Sequence, residues 1–129
     1  MVDIREQSPL TLAFVGDAVY SLAIRRYLST YKRFNINKLN KITIRYVSAH
    51  GQFMALERLK DVLTEEEKAM EKRGMNTSKA SVAKNASVEE YRASTGFECL
   101  LGWLKLSGNE ARINELVDFV IKNLGFENI

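Results

Sequence analysis

Signals that begin and end helices recur along the whole chain, and they constrain the fold more than any other feature. The only proline, Pro9, follows Ser8, which is the usual order of an N-cap and a first helical residue. Capping boxes begin at Thr64 and Ser87, and Asn109 can cap a last helix that ends at Gly125. Strand-like alternation is weak. We therefore expect an all-α fold of five or six helices.

The helix signals also give approximate boundaries. The first helix is expected to run from Pro9 to about Leu28, and Asn37 is expected to cap the second, with a bend or break at Gly51. A short helix from Thr64 is expected to end at Arg73-Gly74. The helix from Ser87 is expected to reach about Leu106. The intervening stretch, 74–86, is basic and is expected to be a long functional loop.

Composition limits the class of protein. The chain has 129 residues, of which 46% are hydrophobic, so we expect one domain over 1–129 with its core at about 8–124. One Cys and one His exclude an internal disulfide framework and a Cys/His zinc site. The polar start does not resemble a signal peptide, and no apolar run is long enough for a membrane span. We expect a soluble cytoplasmic protein.

Positive charge is concentrated in two stretches that contain no acidic residue. The net charge is only +3, but no acid occurs at 18–56 or 72–84. The cations of the first stretch are Arg25, Arg26, Lys32, Arg33, Lys38, Lys41 and Arg45. This asymmetry is typical of a surface that binds a polyanion, although an ordinary solvated basic face would explain it equally well.

Two carboxylates stand in otherwise apolar helical segments, Asp17 in the first predicted helix and Glu98 in the helix from Ser87. Acids usually stay on solvated faces because burial of an unpaired carboxylate is costly. Small residues surround both acids at helical spacing, so two helices can approach closely there. We expect both acids to be buried in one polar site between the helices. Pairing of each acid with Arg25, Arg26 or Arg92 is the alternative.

A divalent cation is the simplest ligand for such a pair of acids. Mg²⁺ and Mn²⁺ prefer hard oxygen ligands, and Mg²⁺ keeps several waters. A metal held beside a basic surface can orient and ionise a water for attack on phosphorus. The pattern therefore suits phosphodiester hydrolysis.

Two segments resemble the ribonuclease III family. Residues 12–20, Leu-Ala-Phe-Val-Gly-Asp-Ala-Val-Tyr, are similar to its E-F-L-G-D-A-V signature, and residues 95–104 are similar to its second acidic helix, D-A-L-E-A-x-x-G-A-x. Two of the four usual acids are replaced, by Ala13 and Thr95. Residues 91–98, Tyr-Arg-Ala-Ser-Thr-Gly-Phe-Glu, match the pattern of Mini-ribonuclease III, a bacterial subfamily that consists of the nuclease domain alone.

The resemblance implies a single all-helical endonuclease domain without a double-stranded-RNA-binding domain, assembled as a homodimer. It implies Mg²⁺-dependent cleavage of double-stranded RNA that leaves 5′-phosphate and 3′-hydroxyl ends, in the maturation of 23S ribosomal RNA. Asp17 and Glu98 would hold the metal, and Mn²⁺ can substitute. Ser94 and Thr95 would orient waters. The residues expected to bind RNA are Lys72, Arg73, Asn76, Ser78, Lys79 and Lys84.

Two other classes of function remain open at this point. A non-catalytic protein that binds double-stranded RNA on the same fold would explain the missing acids. A structural helical protein with acid–arginine pairs would have no affinity for RNA and no salt-dependent binding.

Overall fold

The computed structural model describes residues 2–77 and 87–128, in which all regular secondary structure is helical, as predicted. A short 3₁₀ turn at Ile4–Glu6 precedes six α-helices. Their bounds are α1 Pro9–Tyr31, α2 Ile36–Val47, α3 Ala49–Leu59, α4 Glu65–Thr77, α5 Val88–Leu106 and α6 Glu110–Leu124. No helix in this part of the chain is long and apolar enough to cross a membrane.

Most of the predicted helix ends are confirmed. The Ser8 hydroxyl accepts a hydrogen bond from the backbone N–H of Thr11, and Pro9 is the first helical residue. Both capping boxes form, at Thr64 and at Ser87. Gly125 ends α6 in the left-handed conformation, with a φ of 58°.

The boundaries of α2 and α3 correct two predictions. Asn37 does not cap α2, because the Asn35 side chain accepts the hydrogen bond from the N–H of Lys38 at 2.8 Å. The break lies at Ser48, which caps α3, and Gly51 is helical. A Cβ atom at position 51 would lie 2.0 Å from the backbone oxygen of Arg45, so this glycine permits the close approach of the two helices.

The expected end of the fourth helix is also wrong. The helix does not stop at Arg73-Gly74 but continues to Thr77. Gly74 is buried against α5, where a Cβ atom would lie 2.6 Å from the Cβ of Cys99. This glycine therefore serves helix packing within α4, which explains why it does not end the helix.

The central element is α5, which packs against α1, α3 and α4. Its buried residues include Phe97, Leu100, Leu101 and Leu104, which form one core with residues of α1, α2, α3 and α6. Tyr20 of α1 meets Phe97 edge to face, with ring centroids 4.9 Å apart.

Two glycines bring α1 and α5 into backbone contact. A Cβ atom on Gly16 would lie 1.7 Å from the backbone oxygen of Glu98. On the other helix, a Cβ atom on Gly102 would lie 1.8 Å from the backbone oxygen of Leu12. Only residues without a side chain allow this crossing, so the expectation of a close helix approach is confirmed.

Candidate active site

Asp17 and Glu98 come together at the crossing of α1 and α5. Asp17 follows Gly16 directly, and Gly16 packs on the backbone of Glu98. The two carboxyl groups lie within hydrogen-bonding reach, and the charge of Asp17 acts on Glu98. The structure therefore brings together two acids that are 81 residues apart in the numbering.

Glu98 is the more buried member of the pair, and its carboxyl group has an unusual proton affinity. The pKa of Glu98 is raised from 4.5 to about 7. Loss of solvation is the largest cause, and the neighbouring charge of Asp17 is a smaller one in the same direction. A hydrogen bond from Gln52 acts in the opposite direction and lowers it. Near neutral pH, the pair therefore holds a proton readily.

Asp17 is exposed, which contradicts the expectation that both acids are buried. The buried face of α1 is narrow and consists of Leu12, Ala13, Gly16, Tyr20, Ile24 and Leu28. Asp17 lies just beside this face. Apolar neighbours such as Phe14, which is 80% exposed, point away from the core, so apolar sequence around Asp17 does not bury it.

The alternative in which Arg25, Arg26 or Arg92 neutralises the acids is wrong. Arg25 donates to the hydroxyl of Ser21, and Arg92 donates to the backbone oxygen of Met75. Across residues 2–77 and 87–128, no ion pair involves Asp17 or Glu98.

The carboxylate oxygens of Asp17 and Glu98 suit a hard cation that takes only part of its ligands from the protein. Two like-charged carboxylates in contact are favourable only when a proton or a cation is shared between them. Within the described residues, no cluster of three or more His, Cys, Asp or Glu side chains could hold a metal. Ala13 is buried and supplies no ligand. The site can therefore offer a metal the oxygens of Asp17 and Glu98, with other positions left to water or substrate.

Ser94 and Thr95 lie on the turn of α5 that precedes Glu98, and both are buried. Both hydroxyls donate to the backbone oxygen of Tyr91, at 2.8 and 3.2 Å. Their oxygens keep acceptor capacity, but their protons are engaged within the helix. Their role in orienting water stays a prediction.

Three of the residues expected to bind RNA lie on α4. Lys72, Arg73 and Asn76 are exposed. Gly74, between them, packs against Gly96 of α5, so this part of α4 lies beside the turn that leads to Glu98. Ser78, Lys79 and Lys84 lie outside the described residues. The RNA contacts of all six stay a prediction.

Sequence reasoning missed Gln52. This glutamine of α3 is 2% exposed, and its amide nitrogen lies 3.2 Å from a carboxylate oxygen of Glu98. A signal was present, because Gln52 occupies the same face of α3 as Ala55, Leu56 and Leu59, which are buried apolar residues.

The structure places an acid pair at a helix crossing in an all-helical domain, and comparison with known proteins gives the class of this domain. A family model described as the ribonuclease III domain matches residues 10–109. The chain belongs to the ribonuclease III family, which makes it an endoribonuclease by class.

Within that family, the chain is similar to proteins named Mini-ribonuclease 3. The Clostridium tetani protein is 42% identical over 92% of this chain and 80% of its own length. The Enterococcus faecalis protein is 41% identical over 99% and 98%. A crystal structure of a Fusobacterium nucleatum protein superposes with a TM-score of 0.84 at 34% identity, over 95% of this chain and 98% of that one. The chain thus falls in the Mini-ribonuclease 3 branch.

Proposed function

We propose that this protein hydrolyses double-stranded RNA with Mg²⁺ held by Asp17 and Glu98. The observation that carries the proposal is the contact of these two acids at the glycine-mediated crossing of α1 and α5. A protein that merely bound RNA would gain nothing from two like charges placed together beside a polyanion site.

The metal has a specific task in this proposal. When bound, Mg²⁺ activates water and offsets negative charge at the scissile phosphate, and Mn²⁺ can replace it. Asp17 and Glu98 would hold the cation through their carboxylate oxygens. Because the protein offers only two carboxylates, water and an RNA phosphate oxygen would supply the remaining ligands. We expect products with 5′-phosphate and 3′-hydroxyl ends.

Exposed cations support a polyanionic substrate. Lys72 and Arg73 lie on the part of α4 beside the Glu98 turn. Six of the seven cations in the acid-free stretch 18–56 are exposed, namely Arg25, Arg26, Lys32, Arg33, Lys41 and Arg45. A-form RNA presents mainly phosphates and 2′-hydroxyls, which such side chains and Asn76 can contact.

An apolar stripe on α1 supports a homodimer. Leu10, Phe14 and Leu22 are 44%, 80% and 61% exposed, and their spacing places them on one face. Phe14 and Leu22 also line a groove that extends to Ile113 of α6. A second copy of the chain related by a two-fold axis would pack the same stripe against this one and cover the exposed apolar residues.

We further propose that the natural substrate is a base-paired region of a 23S ribosomal RNA precursor in the bacterial cytoplasm. The support is the resemblance to the Mini-ribonuclease III subfamily. The test compares the rates at which the protein cleaves a precursor stem and an unrelated duplex of equal length. Equal rates would contradict a preference for the precursor.

One cleavage assay tests the main proposal. Purified protein is incubated with long double-stranded RNA and either Mg²⁺ or EDTA, and cleavage is expected only with Mg²⁺. Asp17→Asn and Glu98→Gln should abolish cleavage without loss of helical structure. Glu71→Gln, which alters another partly buried glutamate, is the matched control and should cut normally. Normal cleavage by either site variant would refute the assignment, and binding without cleavage by the wild-type protein would favour a non-catalytic role.

A further inference from the structure

Gln52 is a buried amide at a position where packing alone calls for an apolar side chain. It is 2% exposed, within a row of buried residues on α3 that includes Ala55 and Leu59. Nothing in the sequence requires a polar group for the packing of α3 on α5. The reason for this amide must therefore lie in its contacts.

Both protons of the amide nitrogen have acceptors. Nε2 donates to the backbone oxygen of Val47 at 3.0 Å and to Oε2 of Glu98 at 3.2 Å. Val47 is the last residue of α2, so its carbonyl has no partner further along that helix. Gln52 thus connects the end of α2 to the carboxylate of Glu98.

The remaining amide atom lacks a partner. Oε1 of Gln52 is buried and accepts no hydrogen bond from the described residues. A buried acceptor without a donor costs about 1–3 kcal/mol. A methionine of similar size would avoid that cost, so the amide is retained at some expense of stability.

We propose that Gln52 is a positioning residue that fixes the carboxylate of Glu98 for metal binding; this inference rests on the proposed function. The bond to Val47 holds the amide to the backbone, and the second proton then restricts the rotation of the Glu98 side chain. A carboxylate that is already oriented loses less entropy when it binds a cation. Gln52 itself touches neither metal nor RNA.

The test compares Gln52→Met with two matched controls. Gln7→Met changes the only other glutamine, and Thr43→Val removes a different buried hydrogen-bonding group, whose hydroxyl donates to Leu39. Mn²⁺ affinity is measured by electron paramagnetic resonance, and kcat and KM by cleavage of double-stranded RNA. Gln52→Met should weaken Mn²⁺ binding and lower kcat by about 10–100-fold with an unchanged KM for RNA. Both controls should match the wild type.

Unchanged Mn²⁺ affinity in Gln52→Met, or an equal loss in Thr43→Val, would overturn the positioning role. A second measurement needs no variant, in case Gln52→Met does not fold. Protein labelled with ¹⁵N-glutamine has two side-chain amide signals, and Mg²⁺ should shift the signal of Gln52 but not that of Gln7. An unmoved Gln52 signal would also overturn the role.

The outcomes separate this inference from the proposed function. Wild-type cleavage that requires Mg²⁺, together with an unaffected Gln52→Met protein, rejects only the positioning role. Absence of metal-dependent cleavage in the wild-type protein rejects the proposed function, and the positioning role with it.

Discussion

The replacement Glu98→Gln should stabilise the metal-free protein at alkaline pH while it abolishes cleavage. Glutamine has nearly the same shape as glutamate, and its amide oxygen can still accept the hydrogen bond of Gln52. It removes a charge that is partly desolvated and lies beside Asp17. The variant therefore removes the unfavourable free energy of a desolvated negative charge, which the wild-type protein retains for metal binding.

The size of the effect follows from the pKa of Glu98. Its value is about 7 in the folded protein and 4.5 without the surroundings of the fold. Because the folded value is the higher one, the stability contributed by the protonated form is present at low pH and is lost as the pH rises from 4.5 through 7. At about 1.4 kcal/mol per pKa unit, the loss is about 3 kcal/mol at pH 8 and about 1 kcal/mol at pH 5.

Urea unfolding in EDTA at both pH values measures this difference. The stability gained by Glu98→Gln should be larger at pH 8 than at pH 5 by up to about 2.5 kcal/mol. Glu89→Gln, at an exposed position near the start of the same helix, should show no such pH dependence. If the gain from Glu98→Gln were equal at the two pH values, the carboxyl group would not be desolvated and the reasoning would fail.

Three other substitutions test the packing and assembly. Gly16→Ala should destabilise the protein by about 3 kcal/mol or more in urea unfolding and reduce cleavage, because its Cβ would force the helices apart. A near-neutral effect would contradict the observed contact. Phe14→Glu should dissociate a dimer in analytical ultracentrifugation, whereas Ile44→Glu, at another exposed apolar residue, should not; an intact Phe14→Glu dimer would exclude the stripe. Arg112→Met leaves Glu67 buried without its partner and should cost about 3–5 kcal/mol in thermal unfolding; a loss below about 1 kcal/mol would contradict this.

Local chemistry made most helix ends predictable. Ser8, Thr64 and Ser87 cap helices through hydrogen bonds to residues three positions further along, so a short window of sequence contains the whole interaction. Gly51 and Gly74 gave the wrong ends because their role depends on distant contacts. Each permits another helix to approach, and no local pattern distinguishes that role from a helix end.

The pairing of the two acids was predictable from the small residues around them, whereas the exposure of Asp17 was not. The small residues around Asp17 and Glu98 correctly indicated a close helix crossing. Burial was predicted wrongly for Asp17, because apolar residues on the outer face of α1 looked like core in the sequence. The support from Gln52 was missed since it comes from a third helix and depends on tertiary packing.

The most direct test of the central claim is the position of Mn²⁺ in crystals of the wild-type protein, located by anomalous scattering. We expect a peak within coordination distance of the carboxylate oxygens of both Asp17 and Glu98. A peak elsewhere, or none at this pair in protein that cleaves double-stranded RNA with Mn²⁺, would contradict the assignment of these two acids as the metal site.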